Sequence, residues 1–237
     1  NYEFRDSSLR NVILADSAEC LIKNGDILDI TLLDAERERI AANLNNRGYF
    51  DFTVNNISYD VDTLNHRYLA DVQMIIRPTL TGYNERGVPQ WEDNAVYRIR
   101  NINVYPTYDP MLRSTSGFMP NANIDTTYLE GLSIIRDLES TPQLRNAVLR
   151  RTIPLYPNYV YNSEQGAHTY NELMLLGFFR NAKVDFRRVE EDESYVTFMN
   201  VDDAGAELLN TRERFLDCNI YCTPALKQSM KVELEAS

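Results

Sequence analysis

The sequence predicts an α+β fold: two tandem β-α-α-β-β units, each a three-stranded mixed sheet with helices packed on one face. Three observations lead there. A helix, a glycine and two aromatics occur in that order twice, within Asp34–Tyr59 and again within Asn162–Phe186. Each copy is followed by a stretch of alternating apolar and polar residues. Each is also preceded by a short strand candidate. The predicted boundaries are residues 1–80 for the first unit, 81–95 for a linker and 96–237 for the second unit, with an insertion at about 106–142.

Taken in order, Tyr2–Arg5 reads as an opening strand, and Leu9, Val12 and Ile13 as the apolar stripe of a first helix. Lys23-Asn24-Gly25-Asp26 is a turn signal. In the second helix Leu33, Ile40, Ala41 and Leu44 share a face, with Thr31 and Asp34 as the expected capping pair. Gly48 stands where the chain must leave the helix in a left-handed conformation, and Tyr49 and Phe50 come next as an aromatic plug. Phe52–Tyr59 alternates, but Phe52 and Val54 are out of phase with Ile57 and Tyr59, so a bulge is expected at Asn55–Asn56. Arg67–Arg77 alternates cleanly and predicts a half-buried strand.

Residues 79–95 show no periodicity and include the sole tryptophan, Trp91. Val96–Tyr105 opens the second unit. The insertion carries Pro106, Pro110 and Pro120, then a possible helix over Tyr128–Leu138; loop closure entropy grows slowly enough with length to tolerate it. Gln143–Thr152 reads as a helix. The repeated helix is next, with Asn162 and Gln165 as the capping pair, Gly177 as the stop and Phe178 and Phe179 as the plug. A strand with Ala182, Val184 and Phe186 succeeds it. Residues 188–213 read as a charged excursion, and Arg214–Thr223 as the last strand, with Leu216, Cys218, Ile220 and Cys222 on one face.

The totals bound the function. A formal net charge of -11 argues against a nucleic-acid partner, which requires clustered Lys and Arg. No apolar run reaches the length of a membrane helix and no signal peptide is recognisable. The chain begins with Asn, and is expected to be a processed or excised piece of a longer protein. Cys218 and Cys222 lie roughly 13 Å apart along an extended strand, too far for a disulfide, and read as buried core thiols. His66 falls in a turn and His168 on the repeated helix, neither with partners at metal-ligand spacing. No phosphate loop, nucleophile elbow or zinc-protease motif is present, so neither catalysis nor a metal or cofactor is expected.

Geometry supplies the candidate function. A small open sheet keeps edges whose main-chain N–H and C=O groups can pair with an extended polypeptide. Phe52, Val54, Ile57 and Tyr59 in the first unit, and Ala182, Val184 and Phe186 in the second, are the candidate edge residues.

The β-α-α-β-β order closed by Leu44…Gly48-Tyr49-Phe50 and Leu173…Gly177-Phe178-Phe179 resembles the polypeptide-transport-associated (POTRA) domain. The phrases GDILDITLLDAERERIAANLNNRGYFDF, IPLYPNYVYN and LDCNIYCTPALKQSMKVELEAS are similar to the periplasmic region of BamA/TamA-like outer-membrane assembly proteins (Omp85 superfamily, Bacteroidetes-type surface antigens). The resemblance implies a periplasmic module that binds unfolded outer-membrane polypeptides or partner envelope proteins. It also implies a membrane β-barrel C-terminal to this fragment, Gln228–Ser237 being similar to the junction. The alternative is a spacer or docking scaffold for partner envelope proteins without direct peptide binding.

Overall fold

The computed structural model describes residues 1–63, 69–110, 124–137, 144–189, 195–200 and 207–225. His66, the centre of the insertion and the terminal phrase 228–237 lie outside them. The fold is α+β, with mixed parallel and antiparallel sheets. Two compact units emerge: residues 1–98 with 160–163 and 190–215, and residues 99–159 with 164–189 and 216–237.

In the first unit, β1 (Tyr2–Phe4), α1 (Arg10–Ala15), α2 (Ile30–Asn46), β2 (Ile57–Asp62) and β3 (Asp71–Ile76) occur in the predicted order. The sheet runs β1-β3-β2, with β1 parallel and β2 antiparallel to β3. The expected face of α2 is buried, Leu33, Ile40, Ala41 and Leu44 packing with Leu9, Ile13, Phe52, Ile57, Met74 and Ile76. The helix begins earlier than the expected cap. Extended Asp29, not Thr31, caps it, its carboxylate accepting the Thr31 N–H at 2.8 Å. Glu36 is fully buried on the same helix, accepting from Arg39 at 2.8 Å and from the Leu21 N–H at 3.0 Å, which ties the α1–α2 loop down. Burial alone would raise this carboxyl; the Arg39 and Leu21 donors outweigh it and hold Glu36 below the usual range.

A chain of hydrogen-bonded polar groups joins Asp6, Asn94, Thr79 and Asn56. The Asp6 carboxylate, wholly buried, accepts the Ser8 N–H at 3.0 Å and both the N–H and the side-chain amide of Asn94 at 2.8 Å. Thr79 donates to Asn94 Oδ1 at 2.6 Å, and the Asn56 amide donates to Thr79 at 3.1 Å. Burying these groups is tolerable because each finds partners.

The stretch expected to be a linker contains an ordered hairpin, β4 (Thr79–Tyr83) and β5 (Pro89–Glu92). Its turn is held by Asn84, whose side chain accepts the N–H groups of Arg86 and Val88. The missing periodicity has a physical cause: this ribbon has no buried face, and Leu80, Tyr83, Val88 and Trp91 are all exposed.

The second unit carries most of β6 (Val96–Tyr105), β7 (Ile124–Leu129), β8 (Leu132–Asp137), α3 (Asn146–Thr152), most of α4 (Ser163–Leu175) and β9 (Phe179–Arg188). Beyond β9 lie β10 (Tyr195–Asn200) and the long β11 (Glu207–Pro224). The expected face of β11 is completely buried: Leu216, Cys218, Ile220 and Cys222 are all inaccessible. Both thiols are free, and burial pushes both up, Cys222 to about 12.

Three expectations need correction. The sheet containing β6 has six strands, not three, in the order β10-β11-β6-β8-β7 with β9 also paired to β11. Two of these strands replace the expected helix over Tyr128–Leu138. β7 and β8 meet at Glu130-Gly131, both at positive φ, as a two-residue hairpin requires, and Leu132 and Ile134 alternate into the core. β8 then pairs in parallel with β6, so the insertion extends the sheet. Finally, the charged excursion at 188–213 is partly strand, β10 running antiparallel to the first part of β11.

Candidate functional site: two open strand edges

Helix α2 and the strands beneath it decide what the first edge can offer. Strand β2 pairs only with β3 among the described residues. The Arg77 N–H donates to the Asn56 carbonyl at 2.8 Å, which sets the phase of the ladder. In an antiparallel pair the main chain alternates between facing the partner and facing away. Ser58 and Asp60 therefore face β3, while Tyr59 and Val61 present N–H and C=O to the open side. The Ile57 N–H is already used, donating to the Val54 carbonyl. The side chains of this row turn to the helix: Ile57 is buried, and the Tyr59 hydroxyl donates to the Leu33 carbonyl at 3.1 Å. Burial lifts the Tyr59 phenol well above its ordinary range, so it remains a donor.

The strand is shorter than Phe52–Tyr59. Phe52 is a core side chain, 1% exposed, and Val54 begins a 3-10 turn, Val54–Asn56, capped by Thr53 with Asn56. The phase break at Asn55–Asn56 is this turn rather than a bulge. The Val54 carbonyl is also occupied, accepting from Arg37 at 2.9 and 3.2 Å. Of the four residues expected in the first edge, Ile57 and Tyr59 lie in the strand; Phe52 and Val54 do not.

At the second edge all three expected residues lie in one strand and share one orientation. β9 pairs only with β11 among the described residues, Ala182 opposite Cys222, Val184 opposite Ile220 and Phe186 opposite Cys218. The Cys222 carbonyl accepts the Tyr108 N–H at 3.0 Å, so the Cys222 main chain faces away from β9. By the same alternation, Ala182, Val184 and Phe186 direct their main-chain groups to the open side. Their side chains pack on the core; Gly166 of α4 leaves room for the Phe186 ring, which would sit 3.0 Å from a Cβ there. On the opposite face Asp185 lies between Lys183 at 3.1 Å and Arg187 at 2.8 Å. Partial burial would raise its carboxyl, but these two cations hold it below its usual range.

The two corner motifs keep their glycine geometry and differ in their aromatics. Gly48 and Gly177 both have positive φ, +102° and +70°. Tyr49 and Phe179 are buried; Phe50 packs edge-on against Tyr97 and Tyr161, with centroids 5.6 and 5.1 Å away, and Phe178 is 45% exposed. Sequence reasoning misses the exposed β4–β5 ribbon and the apolar residues of the α1–α2 loop. The adjacent Ile27-Leu28, in a stretch with turn signals and no buried face, is the one clue to the second.

Residues 1–77 match the family model POTRA, surface antigen variable number repeat. No curated protein matches the chain. Among solved structures, the chain is similar to BamA from Haemophilus ducreyi lacking POTRA domains 1–3 (12% identity, TM-score 0.47, covering 94% of this chain and 29% of that one). It is also similar to Haemophilus influenzae BamA POTRA3–5 (11%, TM-score 0.31, covering 93% and 94%). A third is the N-terminal domain of Omp85 from Thermosynechococcus elongatus (10%, TM-score 0.23, covering 95% and 97%). The chain thus spans under a third of the length of the first of these. The β1-α1-α2-β2-β3 order, the β1-β3-β2 sheet and the match to the POTRA family model coincide over the same residues, 1–77.

Proposed function

We propose that this chain is a periplasmic POTRA region of an outer-membrane β-barrel assembly or translocation protein, and that it holds unfolded outer-membrane polypeptides by strand addition at the open sides of β2 and β9. The observation that carries the reading is the orientation of the two rows. Tyr59 and Val61, and Ala182, Val184 and Phe186, aim main-chain donors and acceptors outward, while the side chains of Tyr59, Ala182, Val184 and Phe186 pack on the core. A preordered row of this kind offers affinity through the backbone and little sequence preference, as a handler of many clients requires.

Backbone amide titration of the intact chain with a ten-residue peptide of alternating apolar and polar residues tests this. Shifts and slowed exchange at Tyr59, Val61, Ala182, Val184 and Phe186 are expected. Perturbation confined to other strands overturns it. A second reading, a docking scaffold for partner envelope proteins, draws support from the exposed Leu80, Tyr83, Val88 and Trp91 of the β4–β5 ribbon. On that reading the peptide leaves all amides unmoved, and an envelope extract yields a stoichiometric partner that Trp91→Ala releases.

A further inference from the structure

Strand β7 closes one end of the six-stranded sheet, pairing only with β8 among the described residues. Its hairpin turn is pinned within the second unit. Gly131 has φ +84°, and a Cβ added there would sit 2.7 Å from Pro157 Cδ. The buried Arg150 donates to the Glu130 carbonyl at 3.4 Å and to the Ile153 carbonyl at 2.7 Å. The edge is thus held in place before anything pairs with it, which lowers the cost of association.

The turn also decides which main-chain groups are open. In a two-residue hairpin the flanking pair, here Leu129 and Leu132, exchanges both hydrogen bonds. By alternation Thr127 and Asp125 face β8 as well, while Ile124, Thr126 and Tyr128 turn N–H and C=O to the open side. The side chains of this outward row lie on the sheet face opposite the buried Leu132 and Ile134. All three are exposed, Tyr128 by 79% and Ile124 by 40%. In this β7 differs from β2 and β9, where Tyr59, Ala182, Val184 and Phe186 pack their side chains on the core. A strand added at β7 meets three side chains as well as a backbone. Edges that must stay single carry Lys, Pro or inward-pointing charge, and this row has none of them.

The row is its own complement. An antiparallel copy centred on Thr126 sets Ile124 against Tyr128 of the copy, and Thr126 against the same threonine. Each of these residues has its main chain open, so every such pair can exchange hydrogen bonds. Aromatic against β-branched and Thr against Thr are favourable cross-strand neighbours. Asp125 then falls opposite Thr127 of the copy. Moving the centre to Asp125 would oppose two carboxylates and leave Tyr128 without a neighbour, so side-chain chemistry selects the register.

We infer that β7 is a self-association edge, at which two copies of this chain pair antiparallel about a twofold axis through Thr126. The contact uses the same patch on both copies and closes on itself, giving dimers rather than fibres. At six residues the edge is short, which places the contact among weak, concentration-dependent ones. The inference does not depend on peptide pairing at β2 or β9.

Sedimentation velocity of the intact chain over about 5–500 μM should show a reversible monomer–dimer equilibrium, with a Kd on the order of 100 μM. Thr126→Lys sets two ammonium groups face to face and should weaken the dimer at least about tenfold. It should leave the unfolding temperature unchanged, since Thr126 is exposed. Thr126→Cys tests the register. Its thiols would meet across the axis at the roughly 5.5 Å Cα separation of a hydrogen-bonded pair, within disulfide reach. Those of Ile124→Cys would lie about 13 Å apart along the strands, out of reach. Mild oxidation should link Thr126→Cys chains at least about tenfold faster than Ile124→Cys or wild-type chains, whose Cys20 sets the background. A dimer that Thr126→Lys leaves intact, or equal linking of the two thiol variants, overturns the inference. So does a chain that stays monomeric throughout while an alternating peptide shifts the amides of Ile124, Thr126 and Tyr128; β7 would then serve clients instead of a second copy.

Discussion

The two helix–glycine–aromatic corners are written alike and used differently. At the first, Gly48 is buried, with φ +102°, and a Cβ added to it would lie 2.6 Å from Val160 Cγ1 and 2.9 Å from Val96 Cγ1. Its carbonyl accepts the Tyr97 N–H at 2.9 Å, so the corner is itself a packing site within the first unit. At the second, Gly177 is exposed, with φ +70°, and a Cβ would meet nothing within 4 Å. The sequence implies two equivalent corners, and their surroundings are in fact unlike. The backbone requirement is shared because both helices must end in a left-handed residue. The continuations diverge: β9 starts two residues after Gly177, whereas Tyr49 to Asn56 must first plug and turn before β2 begins. A repeated local phrase thus fixes local geometry, while tertiary packing decides what that geometry is for.

Substitutions sharpen this contrast in descending order. Phe52→Ala should destabilise the intact chain by about 4 kcal/mol in urea denaturation, since it empties a fully packed site, while Phe178→Ala at the exposed plug should cost under about 1 kcal/mol. Gly48→Ala should cost about 3 kcal/mol, combining left-handed strain with overlap against two stiff valines; Gly177→Ala, with strain alone, should cost about 1 kcal/mol. Equal losses at the two glycines would break the comparison.

The charged groups give smaller effects with a defined sign. Glu36 has a folded pKa below its ordinary 4.5, so its contribution is present above pH 4.5 and is lost as pH falls through the lower folded value. Glu36→Gln should therefore flatten the acid limb of the stability curve, with a loss of about 1 kcal/mol at neutral pH. Asp185, in the second unit, is depressed below 3.8 and has the same sign at still lower pH. Its cations are more than half exposed, so Asp185→Asn should cost only a few tenths of a kcal/mol.

Legibility in the sequence depends on which signals are local. The alternation of Leu216, Cys218, Ile220 and Cys222 announces a buried strand face because a period of two admits no other element, and all four are buried. The face of α2 and the left-handed glycines are readable for the same reason. The bend at Val54–Asn56 reads as a bulge because a 3-10 turn and a bulge break phase identically; the turn is held by the Thr53–Asn56 capping box, and Arg37 donates to its Val54 carbonyl. The β7–β8 hairpin is hidden by Glu130-Gly131, a weaker turn signal than Asn-Gly, in a stretch where Leu132, Ile134 and Ile135 fit either period. At the candidate site, alternation alone places Ala182, Val184 and Phe186 on one row. The outward direction of that row depends on Tyr108, whose contact with Cys222 joins two stretches far apart in the chain.

The buried Asp6 carboxylate carries one consequence for the order of events in biogenesis. Two of its donors belong to Asn94, 88 residues downstream. A chain delivered from its N-terminus can assemble β1, β2 and β3 as soon as residue 76 has arrived, yet at that moment it would enclose a negative charge lacking half its ligation. Full ligation of Asp6 therefore needs the chain through residue 94, beyond the last strand of the first sheet.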